Sequence, residues 1–380
     1  MFVFSPNYPY QEPDNYVLLP IPERLSAPPN ITGRNVVMAF IDSGFYPHPD
    51  LDNRILAHID VATHQPVEST KSVPHDHIYS WHGQMTSVVA TGSGITSKGK
   101  YRGIASKAET VLVRITNRRG QVKEQDILRG LEWVIENQRR FNIRIVNVSV
   151  GGDYETTDPM HFLFRAIRKL TDEGVVVVTA AGNSGKPVLL PPASSPDAIT
   201  VGGFDDRNTL DKSRWQAYHH SYGTTYDGKL KPDVIAPATW IASPIMPGST
   251  MEKESRWLAP LLRAPTDEAI RQILWNGYAD LGFSRNQAEK PDLEVLMELQ
   301  KRLHAHKIID EHHQHVDGTS VSTAIVSSVI AQMLEINPSL TPVQVRNILM
   351  STATRLPDVS PEQQGAGIVN PTQAIKMAAS

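Results

Sequence analysis

Two uninterrupted apolar runs, each broken by a glycine turn at a polar residue, constrain this chain more than any other feature. Asn35-Val36-Val37-Met38-Ala39-Phe40-Ile41 stops at Asp42-Ser43-Gly44, and Val175-Val176-Val177-Val178-Thr179-Ala180-Ala181 stops at Gly182-Asn183-Ser184-Gly185. Neither run alternates apolar with polar residues. A strand with one face in water would alternate, whereas a strand buried on both faces of a parallel sheet need not. Further strands are expected at 111–115, 143–150 and 199–201, and helices at 125–138, 161–172 and 341–351. Strands and helices alternate along the chain, which predicts an α/β fold with a mainly parallel sheet. The 380 residues would allow two domains, but no repeat or low-complexity tract divides them, so one domain over 1–380 is expected.

The polar residues beside these elements form a chemical set. Asp42 ends a strand, where open α/β sheets place their ligands. His82 lies in Trp81-His82-Gly83, before a small-residue stretch suited to a helix. Ser320, in Asp317-Gly318-Thr319-Ser320, opens an apolar helix that Asn337-Pro338 ends. A serine hydroxyl is a poor nucleophile until a base takes its proton. Histidine does this near neutral pH when a carboxylate fixes its tautomer. The start of a helix adds positive potential where negative charge develops. Asn183 can donate to the oxyanion of acyl transfer, together with the Ser320 N–H. Each residue also has an ordinary reading: turn or cap for Asp42, core histidine for His82, left-handed turn residue for Asn183, N-cap for Ser320. Their joint occurrence, in order and each at the right kind of element, favours the chemical reading.

On these four segments the chain resembles the subtilisin-like serine proteases, the subtilase family. The acid segment Asp-Ser-Gly, the His-Gly segment, Ala-Ala-Gly-Asn and Gly-Thr-Ser all match, at Asp42, His82, Asn183 and Ser320. The resemblance covers roughly residues 17–248 and 316–378. It implies a three-layer fold with a mainly parallel central sheet and helices on both faces. It also implies peptide-bond hydrolysis through an Asp42-His82-Ser320 triad, with Asn183 at the oxyanion. Substrate would pair with Ser149, Val150 and Gly151, and the pocket for the residue before the scissile bond would be walled by these and by Ala181 and Gly182. Leu189-Leu190-Pro191 is expected to form part of its floor. Gln84-Met85-Thr86 departs from the commonest family form, at positions that flank the base.

The largest departure is an insertion at 249–315, where the family has a short connection. Two helices are expected, one from Thr266-Asp267-Glu268 and one from Pro291-Asp292, with Trp257 and Trp275 as apolar anchors. Decoration of the domain, a lid over the cleft and a homo-oligomer contact all remain open, and proximity to Ser320 makes restricted access the expectation to test. Residues 1–16 form a short N-terminal extension. His304, His306, His312, His313 and His315 fit no familiar zinc spacing and are expected in an exposed loop, so no metal site is assigned. No cofactor is required. Calcium, which the resemblance allows through Asp50 and the loop after the His82 helix, is disfavoured because that loop carries Lys98 and Lys100.

A net charge of −3 gives no nucleic-acid footprint. The absence of cysteine excludes disulfides and thiol chemistry. The first basic residue is Arg24, with no apolar segment behind a charged start, so neither a signal peptide nor a membrane span is expected. The expected location is cytoplasmic, with a secreted mature form left open. Two rivals to the protease reading are a catalytically idle scaffold that binds a partner through the insertion, and an acidic relative with a glutamate base.

Overall fold

The computed structural model describes residues 2–10, 16–62, 77–117 and 119–380. Its central sheet is built from β1 (Val37–Asp42), β2 (Ile55–Asp60), β3 (Glu109–Arg114), β4 (Ile143–Val148), β5 (Val176–Ala180), β6 (Ile199–Asp205), β7 (Gln216–Ala217) and β10 (Val234–Pro237). The order is β10-β6-β5-β4-β1-β3-β2, with β7 paired to β6. Every pair is parallel except β6–β7. Two further strands, β8 (Gly223–Thr224) and β9 (Leu230–Lys231), form a small ladder of their own.

The helices are α1 (Ile21–Arg24), α2 (His77–Thr91), α3 (Glu124–Phe141), α4 (Phe162–Asp172), α5 (Thr250–Leu261), α6 (Asp267–Gly277), α7 (Arg285–Glu289), α8 (Leu293–Ala305), α9 (Thr319–Ile336), α10 (Pro342–Thr352), α11 (Pro361–Gln364) and α12 (Pro371–Ala378). Side chains alternate across a strand. Met38 and Phe40 therefore join a core with Met85 and Val89 of α2 and Val326 and Ile330 of α9. Val37, Ala39 and Ile41 join a second core with Ile127 and Leu131 of α3 and Leu163 and Ile167 of α4. Both faces of β1 are covered, which is why its sequence is apolar without alternation. This is the expected three-layer α/β architecture.

Helix α9 is long and apolar enough to cross a membrane. It is instead the central core helix, packed on β4, β5, β6, β10, α2 and α12. A helix that is apolar all round needs such a site in the interior of a large domain. Strand β1 lies between β3 and β4: from it the chain first builds β2 and β3 on one side, then β4 to β6 on the other. The carboxyl end of β1 is thus the switch point of the sheet, and Asp42 stands at it.

The insertion is larger in helices than its sequence suggested. Four helices, α5 to α8, stand on an antiparallel ladder between β11 (Ile241–Pro244) and β12 (His313–Val316). The expected starts of α6 and α8 are present, capped by Thr266 and Asp292. The helices enclose a core of their own, including Leu258, Ile270, Leu274, Val295, Leu299 and Leu303. Trp257 belongs to that core, but Trp275 is exposed rather than an anchor. The N-terminal extension is part of the same body. Phe2, Phe4 and Tyr16 pack into it, Gln300 Nε2 donates to the Ser5 carbonyl at 2.8 Å, and Asn7 Nδ2 donates to the His304 carbonyl at 3.0 Å.

The histidine cluster departs from the exposed loop that was expected. His313 and His315 lie in β12 and are buried, at 2% and 1% exposure. His313 Nδ1 pairs with Asp310 at 2.7 Å, and His315 Nε2 with Asn7 at 2.7 Å. Burial pushes the His315 pKa down to about 4. Asp50 likewise has a structural task. Its carboxylate accepts from Gly94 N at 3.1 Å, Thr96 N at 3.1 Å and Thr96 Oγ1 at 3.0 Å. The loop after α2 therefore turns donors, not carbonyl oxygens, toward this carboxylate, and the arrangement does not fit a calcium ion.

Candidate active site

Asp42 is fully buried, and a buried carboxylate needs donors. Ser43 N donates to Oδ1 at 2.7 Å, and Thr86 Oγ1 donates to Oδ2 at 3.1 Å. Ser43 Oγ adds a longer contact at 3.3 Å, and His82 Nδ1 lies 2.6 Å from Oδ1. A carboxylate only accepts, so Nδ1 carries the proton and Nε2 is left as an acceptor. That Nε2 lies 3.1 Å from Ser320 Oγ. Three residues from β1, α2 and α9 thus form one hydrogen-bonded line from a carboxylate to a hydroxyl. Burial of the imidazole opposes its protonation. The Asp42 charge and hydrogen bond outweigh that opposition and hold the His82 pKa above the ordinary histidine value.

Ser320 sits in the first turn of α9, capped by Gly318 at φ 136°, a left-handed conformation that glycine adopts without strain. Ser327 Oγ donates to Asn147 Oδ1 at 3.0 Å, and Asn147 Nδ2 donates to Ser149 Oγ at 2.9 Å. Ser149 Oγ in turn donates to the Ser320 carbonyl at 3.2 Å. These bonds lock the helix that carries the hydroxyl to the end of β4.

Asn183 follows β5 and faces the same helix turn. Its Oδ1 accepts from Thr319 N at 2.9 Å and from Thr319 Oγ1 at 3.1 Å. Both bonds go to the carbonyl oxygen, so the NH2 group is the end left to donate. Thr319 Oγ1 also accepts from Gly182 N at 3.1 Å, fixing the turn itself. Thr86 and Thr319 are supporting residues that the sequence reasoning passed over. Each stands beside a singled-out residue: Thr86 one helical turn after His82, and Thr319 next to Ser320.

Beside Ser320 opens a cavity of about 240 Å³, lined by Ser149, Val150, Gly151, Ala181, Gly182 and Asn183 among others. All the residues expected to bind substrate are therefore brought together. Of the residues expected at the floor, Leu190 lines the cavity, with Val188 beside it, whereas Leu189 does not and is buried against Ala181 and Ala193. Pro191 does not line it either, and its carbonyl accepts from Gly152 N at 2.6 Å. No residue of 249–315 lines this cavity. The insertion packs on the N-terminal extension and, through β11, on α2. That placement gives the lid expectation no support.

No group of three or more His, Asp or Glu that could hold a metal ion occurs among the described residues.

Known proteins place this geometry in a family. The protease domain of PatA has the same fold, with a TM-score of 0.60 at 20% identity over 92% of this chain and 97% of that one. A protease from Pseudoalteromonas arctica gives a TM-score of 0.61 at 20% identity, over 98% and 99% of the two chains. Serine protease AprX of Bacillus subtilis (strain 168) is 32% identical over 356 residues, which is 91% of this chain and 67% of AprX. The chain thus spans about two thirds of AprX. Subtilisin Savinase of Lederbergia lenta is 27% identical over 346 residues, covering 91% of this chain and 93% of its own. Residues 33–367 match the Subtilase family as a whole. The chain belongs to the subtilase family and is a subtilisin-like serine protease, whose substrates are peptides or proteins.

Proposed function

We propose that this protein is an endopeptidase that works through Asp42, His82 and Ser320 by way of an acyl-enzyme. The observation that carries this reading is the single imidazole bridging Asp42 at 2.6 Å and Ser320 at 3.1 Å. His82 Nε2 takes the Ser320 proton as Oγ attacks the peptide carbonyl, and returns it to the leaving amine. Asp42 holds the tautomer and stabilises the imidazolium. The Asn183 NH2 and the Ser320 N–H receive the oxyanion in a site where donors need no rearrangement. Water then releases the acyl group from Ser320. The extended substrate lies along 149–151, in the manner of a strand added to an edge. Val150, Val188 and Leu190, with no charged residue lining the cavity, favour a small or medium apolar residue before the scissile bond. A fluorophosphonate probe tests the assignment: it should label Ser320 rapidly, and slow or misplaced labelling would overturn it.

Replacing Asn183 by alanine should lower kcat by about 10²–10³ with little change in KM, the range known for such a donor in subtilisin. A loss carried mainly by KM would mean that Asn183 binds the ground-state substrate. The pH profile offers a separate check. His82 acts as a base only when neutral, so activity should rise with pH as it loses its proton. Because Asp42 raises its pKa, the midpoint of that rise should lie on the alkaline side of an ordinary histidine, about 6.5. A midpoint near pH 4 would point to a carboxylate base instead.

A further inference from the structure

An indole is the largest apolar side chain a protein carries, and its flat, rigid face makes it a contact surface with little entropy to lose. Trp81 is 46% exposed, and its ring meets that of His82 edge-on, with centroids 5.3 Å apart and planes at 87°. The inner side of the turn that presents it is filled. A Cβ on Gly83 would clash with the Gly44 carbonyl oxygen, and one on Gly120 with the Tyr79 phenol. Ser43 Oγ donates to the Tyr79 carbonyl at 2.9 Å. The start of α2 is thus pinned against 43–45 and Gly120, with the indole on its open side.

The chemistry determines what arrives there. His82 Nε2 gives its proton to the leaving amine, so the nitrogen after the scissile bond comes within hydrogen-bond reach of that atom. The side chain before the bond goes to the cavity at Val150, Val188 and Leu190, to which neither His82 nor Trp81 contributes. An extended chain advances about 3.3–3.6 Å per residue. The first side chain on the leaving side therefore lies within one residue's reach of a ring 5.3 Å from the imidazole. We infer that Trp81 is a specificity-determining residue, an apolar platform that receives the side chain immediately after the scissile bond and selects large apolar or aromatic ones. This inference rests on the proposed triad mechanism.

Acyl transfer tests the two separately. An acyl-enzyme formed from a p-nitrophenyl ester of an acylated amino acid partitions between water and added amino-acid amides. In aminolysis the amide's α-nitrogen bonds to the acyl carbon, the bond from that carbon to Ser320 Oγ breaks, and His82 carries the proton from nitrogen to Oγ. The native enzyme should prefer leucinamide and phenylalaninamide over glycinamide by about ten-fold or more. Trp81→Ala should bring that ratio close to one, and Trp81→Phe should restore most of it. Trp81→Gln repeats the measurement should the alanine variant fail to fold, and fluorophosphonate titration counts the competent molecules in each sample. An unchanged ratio in the titrated variants overturns the inference, as does an effect confined to esters varied on the acyl side. Failure of the native enzyme to form an acyl-enzyme at all overturns the mechanism instead, and shows itself before any amide is added.

Discussion

Ser320→Ala should lower kcat by roughly a million-fold while the protein stays folded. The magnitude is that known for the nucleophile of subtilisin and is taken over from that relative rather than derived from this geometry. The direction follows from the site itself. Ser320 Oγ is the hydroxyl within reach of His82 Nε2, and removing it leaves the imidazole with nothing to activate but water. The Ser320 N–H and Asn183 would remain, so a small residual rate above the uncatalysed reaction is expected. Besides its contact with His82, the lost Oγ makes one hydrogen bond, to the Ser149 carbonyl at 3.3 Å, so the melting temperature should change little. Steady-state hydrolysis of a peptide substrate, with thermal unfolding measured alongside, decides the matter. More than a few per cent of native turnover would mean another nucleophile.

Asp42→Asn should lower kcat by about 10⁴, as the same substitution does in a trypsin-type triad. Two effects act together. The amide keeps the shape of the carboxylate but no longer compels His82 Nδ1 to be the donor, so part of the enzyme holds the wrong tautomer. The charge that stabilises the imidazolium is also gone. A unit charge about 4 Å away is worth about 4 kcal/mol at an effective dielectric near 20, of the same order as the roughly 5.5 kcal/mol that a 10⁴-fold rate change represents. The sign of the pH shift follows from the same balance. In the native site burial lowers the His82 pKa and Asp42 raises it, with Asp42 prevailing. Without the charge only burial is left, so the residual activity of the variant should rise at lower pH than that of the native enzyme. A loss below ten-fold, or a limb that moves to higher pH, would reduce Asp42 to a packing residue.

The parts of this molecule that could be read from sequence are those whose surroundings are uniform. Residues 36–41 are apolar at every position because both faces of β1 are covered by helices, and that cause acts directly on composition. The four site segments are equally plain: Asp42 and Asn183 follow strands, Ser320 opens a helix, and His82 lies within α2. What escaped depends on distant partners. His312-His313-Gln314-His315 is polar in sequence, yet His313 and His315 are buried because β12 pairs with β11 and the N-terminal extension closes over it. Helix α5 is masked in the sequence by Pro260 near its end and charges near its start. Thr86 reads as a flanking residue because nothing local shows that its hydroxyl meets Asp42, 44 positions earlier in the chain.

The position of α9 in the chain has a consequence for the order of synthesis. This helix fills the space beneath β4, β5, β6 and β10 and also carries Ser320. A growing polypeptide that has reached α8 has made every strand of the central sheet but lacks the helix that covers one face of β4, β5, β6 and β10. Those strands stay without that cover until α9 has followed, a long wait for a sheet built from non-local pairings. The same delay keeps acid and base apart from any nucleophile while translation continues. A nascent chain of a peptide-cutting enzyme therefore has no Ser320 to turn on its neighbours until α9 has been made.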